Sequence, residues 1–78
     1  MYLLFHKEEC PYCLKVRQYM SDKNIPYISV VSKTDAPNRK ILMQLGGKAQ
    51  VPFLVNLTTA DTLYESNDII QYLEKHTK

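Results

Sequence analysis

The chain has 78 residues, 45% of them hydrophobic and 23% charged, with ten basic and eight acidic side chains and a net charge of +2. This length supports one hydrophobic core at most, so we predict a single domain over residues 1–78. The composition is that of a folded globular protein and argues against disorder. Because charges of both signs are interspersed and nearly balanced, nucleic acid is not an expected partner.

No stretch of the sequence has the length and apolarity of a membrane span, so we expect no membrane partner. Residues 1–7 lack the basic leader and long apolar run of a secretory signal. Without an export signal, we expect the protein to lie in the reducing cytoplasm.

The first predicted elements are a strand and a helix. Residues 2–5 form a short apolar run that suits a buried strand. Cys13, Val16 and Met20 then recur at helical spacing, with polar residues on the opposite face, which predicts an amphipathic helix. Pro11 favours the first position of this helix, because that position needs no backbone N–H donor.

The middle of the chain continues the alternation of strands and helices. Residues 27–31 are rich in β-branched and aromatic side chains and predict a second strand. After a polar connection, Pro37 is placed to open a second helix, whose apolar face we assign to Ile41, Leu42 and Leu45. A hairpin and a third helix complete the pattern, with strands at residues 53–55 and 62–64 and a helix from Ser66, its predicted N-cap, to about residue 76.

The element order is therefore β-α-β-α-β-β-α, which indicates the α/β class. The first strand–helix–strand unit should be parallel, because a helix crosses between its strands, and the hairpin should be antiparallel. We predict a small mixed four-stranded sheet flanked by three helices, with helices on both faces.

Both cysteines of the chain lie within four positions, at the predicted start of the first helix. Cys10 falls at the N-cap, where unpaired N–H groups and the positive end of the helix dipole favour negative charge on the sulfur. We therefore assign Cys10 as the nucleophile. Cys13, one turn onward on the core-facing side, should be the resolving thiol. Lys7 could stabilise the thiolate or hold an anionic substrate, whereas the solvent-screened Glu8 and Glu9 act weakly against ionisation.

A zinc or iron site is one alternative for the cysteine pair. One Cys-x-x-Cys supplies two ligands, whereas a structural zinc site needs four. Only His6 and His76 remain as candidate ligands, and they lie far apart in the sequence. We therefore expect no metal, and a pair of inert buried thiols is the other alternative.

Three motifs together resemble the glutaredoxin family. They are Cys-Pro-Tyr-Cys at residues 10–13, Val-Pro at residues 51–52 and Glu-Ser at residues 65–66. The resemblance spans nearly the whole chain in matching order, and it implies a thioredoxin-like fold. The Glu-Ser element departs from the usual glutaredoxin pattern and is similar instead to the N-terminal domain of glutathione transferases.

The resemblance also implies a glutathione site. In the family the bond before the proline that Pro52 matches is cis, and the backbone of Val51 would pair with the cysteinyl part of glutathione. Ser66 would bind the γ-glutamyl carboxylate at a helix N-terminus, and Glu65 would receive the γ-glutamyl ammonium. The role of Gln50 is open. With Lys7 and Arg39, which match positions that hold the glycine carboxylate, and Tyr12 as a wall, the implied glutathione-binding set is Lys7, Tyr12, Arg39, Val51, Pro52, Glu65 and Ser66.

Thiol–disulfide exchange is the activity that the cysteine pair and the resemblance imply together. Cys10 would attack the disulfide between a protein and glutathione, with glutathione as co-substrate, and Cys13 would resolve protein disulfides. The expected partners are glutathione and glutathionylated or disulfide-containing proteins. We expect a monomeric oxidoreductase that serves electron transport and cell redox homeostasis.

Other classes of function stay open. One is a glutathione or iron–sulfur binding module without turnover, although by resemblance Pro11 disfavours cluster binding. Another is a glutathione transferase without its helical domain, but an active-site cysteine suits reduction better than conjugation. Thioredoxin is the nearest competing enzyme, and its motif ordinarily carries Gly-Pro between the cysteines.

Overall fold

The computed structural model describes residues 1–33 and 37–76, so the middle of the predicted polar connection, at residues 34–36, lies outside the described residues. The elements follow in the predicted order. No helix in the described ranges is long and apolar enough to cross a membrane. The elements are β1 (Tyr2–His6), α1 (Pro11–Asp22), β2 (Tyr27–Val31), α2 (Arg39–Gly46), β3 (Phe53–Asn56), β4 (Thr62–Tyr64) and α3 (Ser66–His76).

The four strands found in the described residues form one sheet in the order β2-β1-β3-β4. β1 and β2 are parallel, whereas β3 is antiparallel to both β1 and β4. The register places Leu4 of β1 between Ser29 of β2 and Leu54 of β3. The predicted mixed sheet, with its parallel first unit and antiparallel hairpin, is confirmed.

Within residues 1–33 and 37–76, two hydrophobic clusters hold the helices against the sheet. One cluster joins Val16 of α1 and Leu73 of α3 to Leu4, and all three side chains are fully buried. The other joins Leu42 of α2 to Phe5. Because Leu4 and Phe5 are neighbours on β1, they point to opposite faces of the sheet. The helices therefore cover both faces, as predicted, and full burial of each such side chain contributes about 1.5–3 kcal/mol.

The second helix begins later than predicted. α2 starts at Arg39, not at Pro37. The Pro37 carbonyl accepts a hydrogen bond from the N–H of Lys40, three residues onward, which is a turn. The first bond of α-helical spacing runs from the Leu42 N–H to the Asn38 carbonyl. Pro37 therefore opens a tight turn that leads into the helix.

The predicted apolar face of α2 is wrong at two of its three positions. Leu42 is fully buried, but Ile41 is 50% exposed and Leu45 is 47% exposed. Positions 41 and 45 lie one turn apart on the same side of the helix, rotated away from position 42. Since Leu42 is the residue that reaches the cluster with Phe5, the side that carries Ile41 and Leu45 remains at the surface.

The third helix begins at Ser66, which is its first helical residue and not its N-cap. Glu65 takes the flanking position, because its carbonyl accepts a hydrogen bond of helical spacing from the Ile69 N–H at 3.0 Å. Glu65 has a left-handed φ of 67°, which turns the chain from β4 into the helix. The predicted capping role of Ser66 is therefore wrong by one residue.

Gly46, the last residue of α2, lies against the hairpin. A Cβ atom at this position would meet the Tyr64 hydroxyl oxygen at 2.1 Å and Phe53 Cε1 at 2.9 Å. Such distances are far below ordinary carbon contacts. The close approach of α2 to β3 and β4 therefore requires a glycine at the end of the helix.

We predict that Gly46→Ala lowers the free energy of unfolding by about 1–3 kcal/mol, because the added methyl group overpacks the contact with Tyr64. Urea denaturation measures the change. Gln44→Ala is the matched control, since Gln44 is exposed on the same helix and should alter the stability by less than about 0.5 kcal/mol. A Gly46→Ala protein as stable as the wild type would contradict the predicted overpacking.

Candidate active site

Both thiols lie at the N-terminus of α1. Cys10 is the N-cap, with φ −86° and ψ 114°, and Pro11 follows as the first helical residue. The Cys10 Sγ accepts a hydrogen bond from the backbone N–H of Cys13 at 3.3 Å, and neither cysteine is in a disulfide. A donor directed at the sulfur and the positive end of the helix dipole both stabilise negative charge on Cys10. The predicted N-cap position of Cys10 is confirmed.

Cys13 is the more deeply buried thiol. It is 0% exposed, whereas Cys10 is 7% exposed. Burial raises the pKa of the Cys13 thiol from its ordinary value of 9.0 to about 12, and its hydrogen bond with Cys10 acts in the same direction. A hydrogen bond from the Lys7 backbone opposes this pKa shift without cancelling it. Cys13 is therefore a protonated thiol at neutral pH.

An open groove of about 350 Å³ lies between α1 and the junction of β4 with α3. Its walls come from three separate parts of the chain. Tyr12, 65% exposed, forms the wall on the cysteine side. The Val51–Pro52 bond is cis, as the resemblance implies. Five of the predicted glutathione-binding residues line the groove together with Gln50, namely Tyr12, Val51, Pro52, Glu65 and Ser66.

One end of the groove carries opposite polar groups side by side. The Gln50 Nε2 donates a hydrogen bond of 2.9 Å to the Glu65 Oε1, which fixes one carboxylate oxygen. Ser66 follows at the first turn of α3, where backbone N–H groups have no acceptor within the helix. The Glu65 carboxylate can bind an ammonium group, and the helix N-terminus can bind a carboxylate. An amino acid with a free α-ammonium and a free α-carboxylate carries both of these groups side by side.

Lys7 and Arg39 are not among the described residues that line this groove. Lys7 lies in the turn before α1, where its carbonyl accepts a hydrogen bond from the Cys10 N–H at 3.3 Å. The Arg39 Nε donates to the carbonyls of Ser32 at 3.0 Å and Lys33 at 3.1 Å, and its Nη1 donates to the carbonyl of Ala49. Arg39 therefore joins the chain after β2 to the loop before β3.

Two residues of this region have contacts that sequence reasoning did not assign. Gln50 holds Glu65, and the phenol of Tyr64 bonds the backbone of Lys48. Their positions in the sequence mark them as candidates for the site, because Gln50 directly precedes the Val-Pro element and Tyr64 directly precedes the Glu-Ser element. The sequence could not show that the two elements meet.

The cysteine pair has no metal-binding companions within residues 1–33 and 37–76. No group of three or more His, Cys, Asp or Glu side chains in these ranges could hold a metal ion. His6, the nearer histidine in the sequence, is buried in β1 and bonds Ser29 Oγ through its Nε2. Burial lowers the pKa of His6, and Arg17 acts in the same direction while Glu8 opposes it.

The sequence matches a known family over almost its whole length. Residues 4–78 correspond to the family described as Glutathione S-transferase, N-terminal domain. The chain belongs to this family. This glutathione S-transferase N-terminal domain is 35% identical over 77 residues to Glutaredoxin 2 of Escherichia coli strain K12, covering 92% of the present chain and 32% of that relative.

Solved structures share the fold of this domain. Glutaredoxin 2 from Salmonella typhimurium in complex with glutathione matches the domain with a TM-score of 0.83 at 30% identity, covering 95% of this chain and 33% of that one. Glutathione transferase Omega 3C from Trametes versicolor matches with a TM-score of 0.87 at 20% identity over 97% of this chain and 33% of that one, which shows the fold alone.

These comparisons confirm the predicted thioredoxin-like fold and the resemblance to a glutaredoxin with a transferase-like Glu-Ser element. The domain spans about a third of the length of the Glutaredoxin 2 proteins that it matches. Its relatives at 30% identity or more are named Glutaredoxin 2, and its family is that of the glutathione S-transferase N-terminal domain.

We predict that Cys13 in a Cys10→Ser protein resists alkylation by iodoacetamide at neutral pH, because the thiol is fully buried and its pKa is about 12. Mass spectrometry of the folded and urea-unfolded protein measures the modification.

The raised pKa of Cys13 also has a consequence for stability. The free energy of unfolding of the reduced protein should fall as the pH rises from 9.0 towards about 12, since only the unfolded thiol ionises there.

Cys13→Ser serves as the control for the alkylation experiment, since its single thiol is Cys10. It should react with iodoacetamide while still folded. Rapid alkylation of Cys13 in the folded Cys10→Ser protein at neutral pH would refute the assignment of a protonated, inaccessible thiol.

Proposed function

We propose that this domain is a glutathione-dependent thiol–disulfide oxidoreductase that reduces protein–glutathione mixed disulfides and protein disulfides through Cys10. The observation that carries the proposal is the hydrogen bond from the Cys13 N–H to the Cys10 sulfur, at the head of a helix whose Tyr12 lines the groove. The relatives named Glutaredoxin 2, one of them in complex with glutathione, support it.

The groove suggests how glutathione would bind. The γ-glutamyl ammonium would meet the Glu65 carboxylate, and the γ-glutamyl carboxylate would meet the N–H groups and hydroxyl at Ser66. The backbone of Val51 would pair with the cysteinyl residue, with Pro52 and Tyr12 as walls. This pose directs the glutathione sulfur towards the Cys10 side of the groove.

The glycine carboxylate of glutathione needs a cation at the other end of the pose. Lys7, three residues before Cys10 in the chain, would supply it. Because the Arg39 guanidinium donates to three backbone carbonyls, Arg39 would act on the ligand through the loop that it holds at Ala49. This changes the implied role of Arg39 from contact to support.

Reduction of a mixed disulfide needs only Cys10. Its thiolate attacks the glutathione sulfur, a Cys10–glutathione bond forms, and the protein sulfur leaves as a thiolate that takes a proton from water. A second glutathione thiolate then attacks the glutathione sulfur on Cys10, which forms glutathione disulfide and releases the Cys10 thiolate. The net reaction moves two electrons to the substrate, so it requires a compartment that keeps glutathione reduced, and we propose the cytoplasm.

Reduction of a protein disulfide also uses Cys13. Cys10 attacks one sulfur of the substrate and forms a mixed disulfide, and Cys13 attacks the Cys10 sulfur to form an internal disulfide and release the substrate dithiol. Two glutathione molecules then reduce the internal disulfide. Burial raises the pKa of the Cys13 thiol, so this step requires loss of a tightly held proton and should limit the route at neutral pH.

Conjugation of glutathione to an electrophile is the second candidate, favoured by the match to a transferase family. The two activities would share the groove but differ in what attacks. In exchange the Cys10 sulfur forms a covalent bond, whereas in conjugation the glutathione sulfur does so and Cys10 stays unmodified.

We predict that Cys10→Ser abolishes reduction of a glutathionylated peptide, while Cys13→Ser retains much of the wild-type rate, because the glutathione route uses one thiol. Coupled detection of glutathione disulfide measures turnover. Cys13→Ser is the internal control for folding and for thiol loss. Equal loss in both variants would show that the chemistry requires both thiols, and full activity in Cys10→Ser, or conjugation without reduction, would overturn the proposal.

We predict that Glu65→Gln weakens glutathione binding about 10- to 100-fold, because a charged hydrogen bond to the γ-glutamyl ammonium becomes a neutral one. Isothermal titration calorimetry measures the affinity. Glu74→Gln, an exposed change of the same chemistry on α3, should leave the affinity unaltered. Equal affinities for Glu65→Gln and Glu74→Gln would place the ammonium elsewhere.

A further inference from the structure

Tyr64 ends β4 directly before Glu65, and its half-buried ring sits between the hairpin and the loop at residues 47–52. The ring packs on Phe53, with ring centroids 4.6 Å apart. The Lys48 Nζ lies 5.4 Å from the centroid of the same ring. The end of α2 approaches the same hydroxyl so closely that residue 46 must be glycine.

The hydroxyl of Tyr64 makes two hydrogen bonds to one residue of the loop. It accepts from the backbone N–H of Lys48 at 3.1 Å and donates to the carbonyl of Lys48 at 2.7 Å. Both backbone polar groups of Lys48 are therefore paired with a single side-chain atom. A phenol used in this way fixes both the distance and the rotation of the loop relative to β4.

This loop leads into the candidate groove within two residues. Ala49, next to Lys48, is held by the Arg39 guanidinium, and Gln50 bonds the Glu65 carboxylate. Residues 47–52 contain neither helix nor strand, so these side-chain bonds take the place of the ladder hydrogen bonds that fix other segments. Tyr64 itself is not among the described residues that line the groove.

We propose that the Tyr64 hydroxyl is a positioning group for glutathione recognition, which acts by clamping Lys48 so that Gln50 and Val51 stand ready for the ligand. The inference rests on the proposed function. Without the clamp, the loop samples other geometries, and the free energy of ordering it is subtracted from that of binding. The Cys10 sulfur and its N–H donor lie at the start of α1, away from the clamp, so we expect them to be unaffected.

The test compares Tyr64→Phe with Tyr72→Phe. Tyr72 is a matched control, because its hydroxyl also makes two short hydrogen bonds, to Asn56 at 2.9 Å and to Asp61 at 2.7 Å. Phe53 is the end of β3 next to the groove, and Asn56 is the opposite end of the strand. The hydroxyl of Tyr72 is therefore bonded away from the loop. Both variants lose a bonded phenol hydroxyl, and only one of them loses it beside the loop.

In Tyr64→Phe we expect the KM for a glutathionylated peptide to rise about three- to tenfold with kcat unchanged, because the two lost hydrogen bonds affect binding only through the order of the loop. Amide hydrogen exchange at Lys48 should become faster in the same variant. Tyr72→Phe should keep the wild-type KM and the wild-type Lys48 exchange, even where urea denaturation finds both variants equally destabilised.

Three results would overturn the inference, and they are distinguishable. If Tyr64→Phe keeps the wild-type KM although its Lys48 amide exchanges faster, the clamp has no part in recognition and the proposed function stands. If the wild type itself neither turns over the peptide nor binds glutathione by calorimetry, the proposed function fails and this role of Tyr64 fails with it. A KM that rises equally in both tyrosine variants would reduce the effect to general destabilisation.

Discussion

The hydrogen bond from the Cys13 N–H to the Cys10 sulfur joins the start of α1 to the chemistry of the candidate site. It forms because the helix begins at Pro11, so the sulfur of Cys10 takes the acceptor place that a serine or aspartate oxygen takes at other N-caps. The same helix turns Cys13 into the core, where burial raises its pKa to about 12. One helix start thus stabilises charge on one thiol and keeps the other protonated.

The sheet decides what stands beside these thiols. Since β3 is antiparallel to β1, the register that sets Phe53 opposite Phe5 brings the Val51–Pro52 segment to the end of the sheet from which the chain leaves towards Cys10. β4 is antiparallel to β3, with Tyr64 opposite Phe53, so Glu65 and the first turn of α3 arrive at the same end. Three segments far apart in the chain therefore form one groove.

The part of the groove that lacks regular structure depends on polar side chains. Arg39 of α2 bonds the Ala49 carbonyl, and Tyr64 of β4 bonds the Lys48 carbonyl, both in the segment before β3. Gln50, which belongs to that segment, bonds the carboxylate of Glu65 at the start of α3. Arg39, which the family resemblance assigns to the ligand, donates instead to backbone carbonyls. A guanidinium suits the joining of two loops because it has several donors in one plane. Charge in the sequence therefore marks this region without specifying its contacts.

The amino-acid sequence predicts the elements, because apolar periodicity and proline positions are local. The order of strands and helices, the cysteines at a helix N-terminus and the buried positions Cys13, Val16 and Met20 all follow from such local patterns. Packing of the folded chain sets which side of α2 is buried, makes Ser66 the first helical residue of α3, and brings Gln50, Tyr64 and Arg39 into the contacts that hold the loop before β3. These features depend on contacts between residues distant in the chain. A linear pattern carries no information about such distances until the strands are paired and the helices packed.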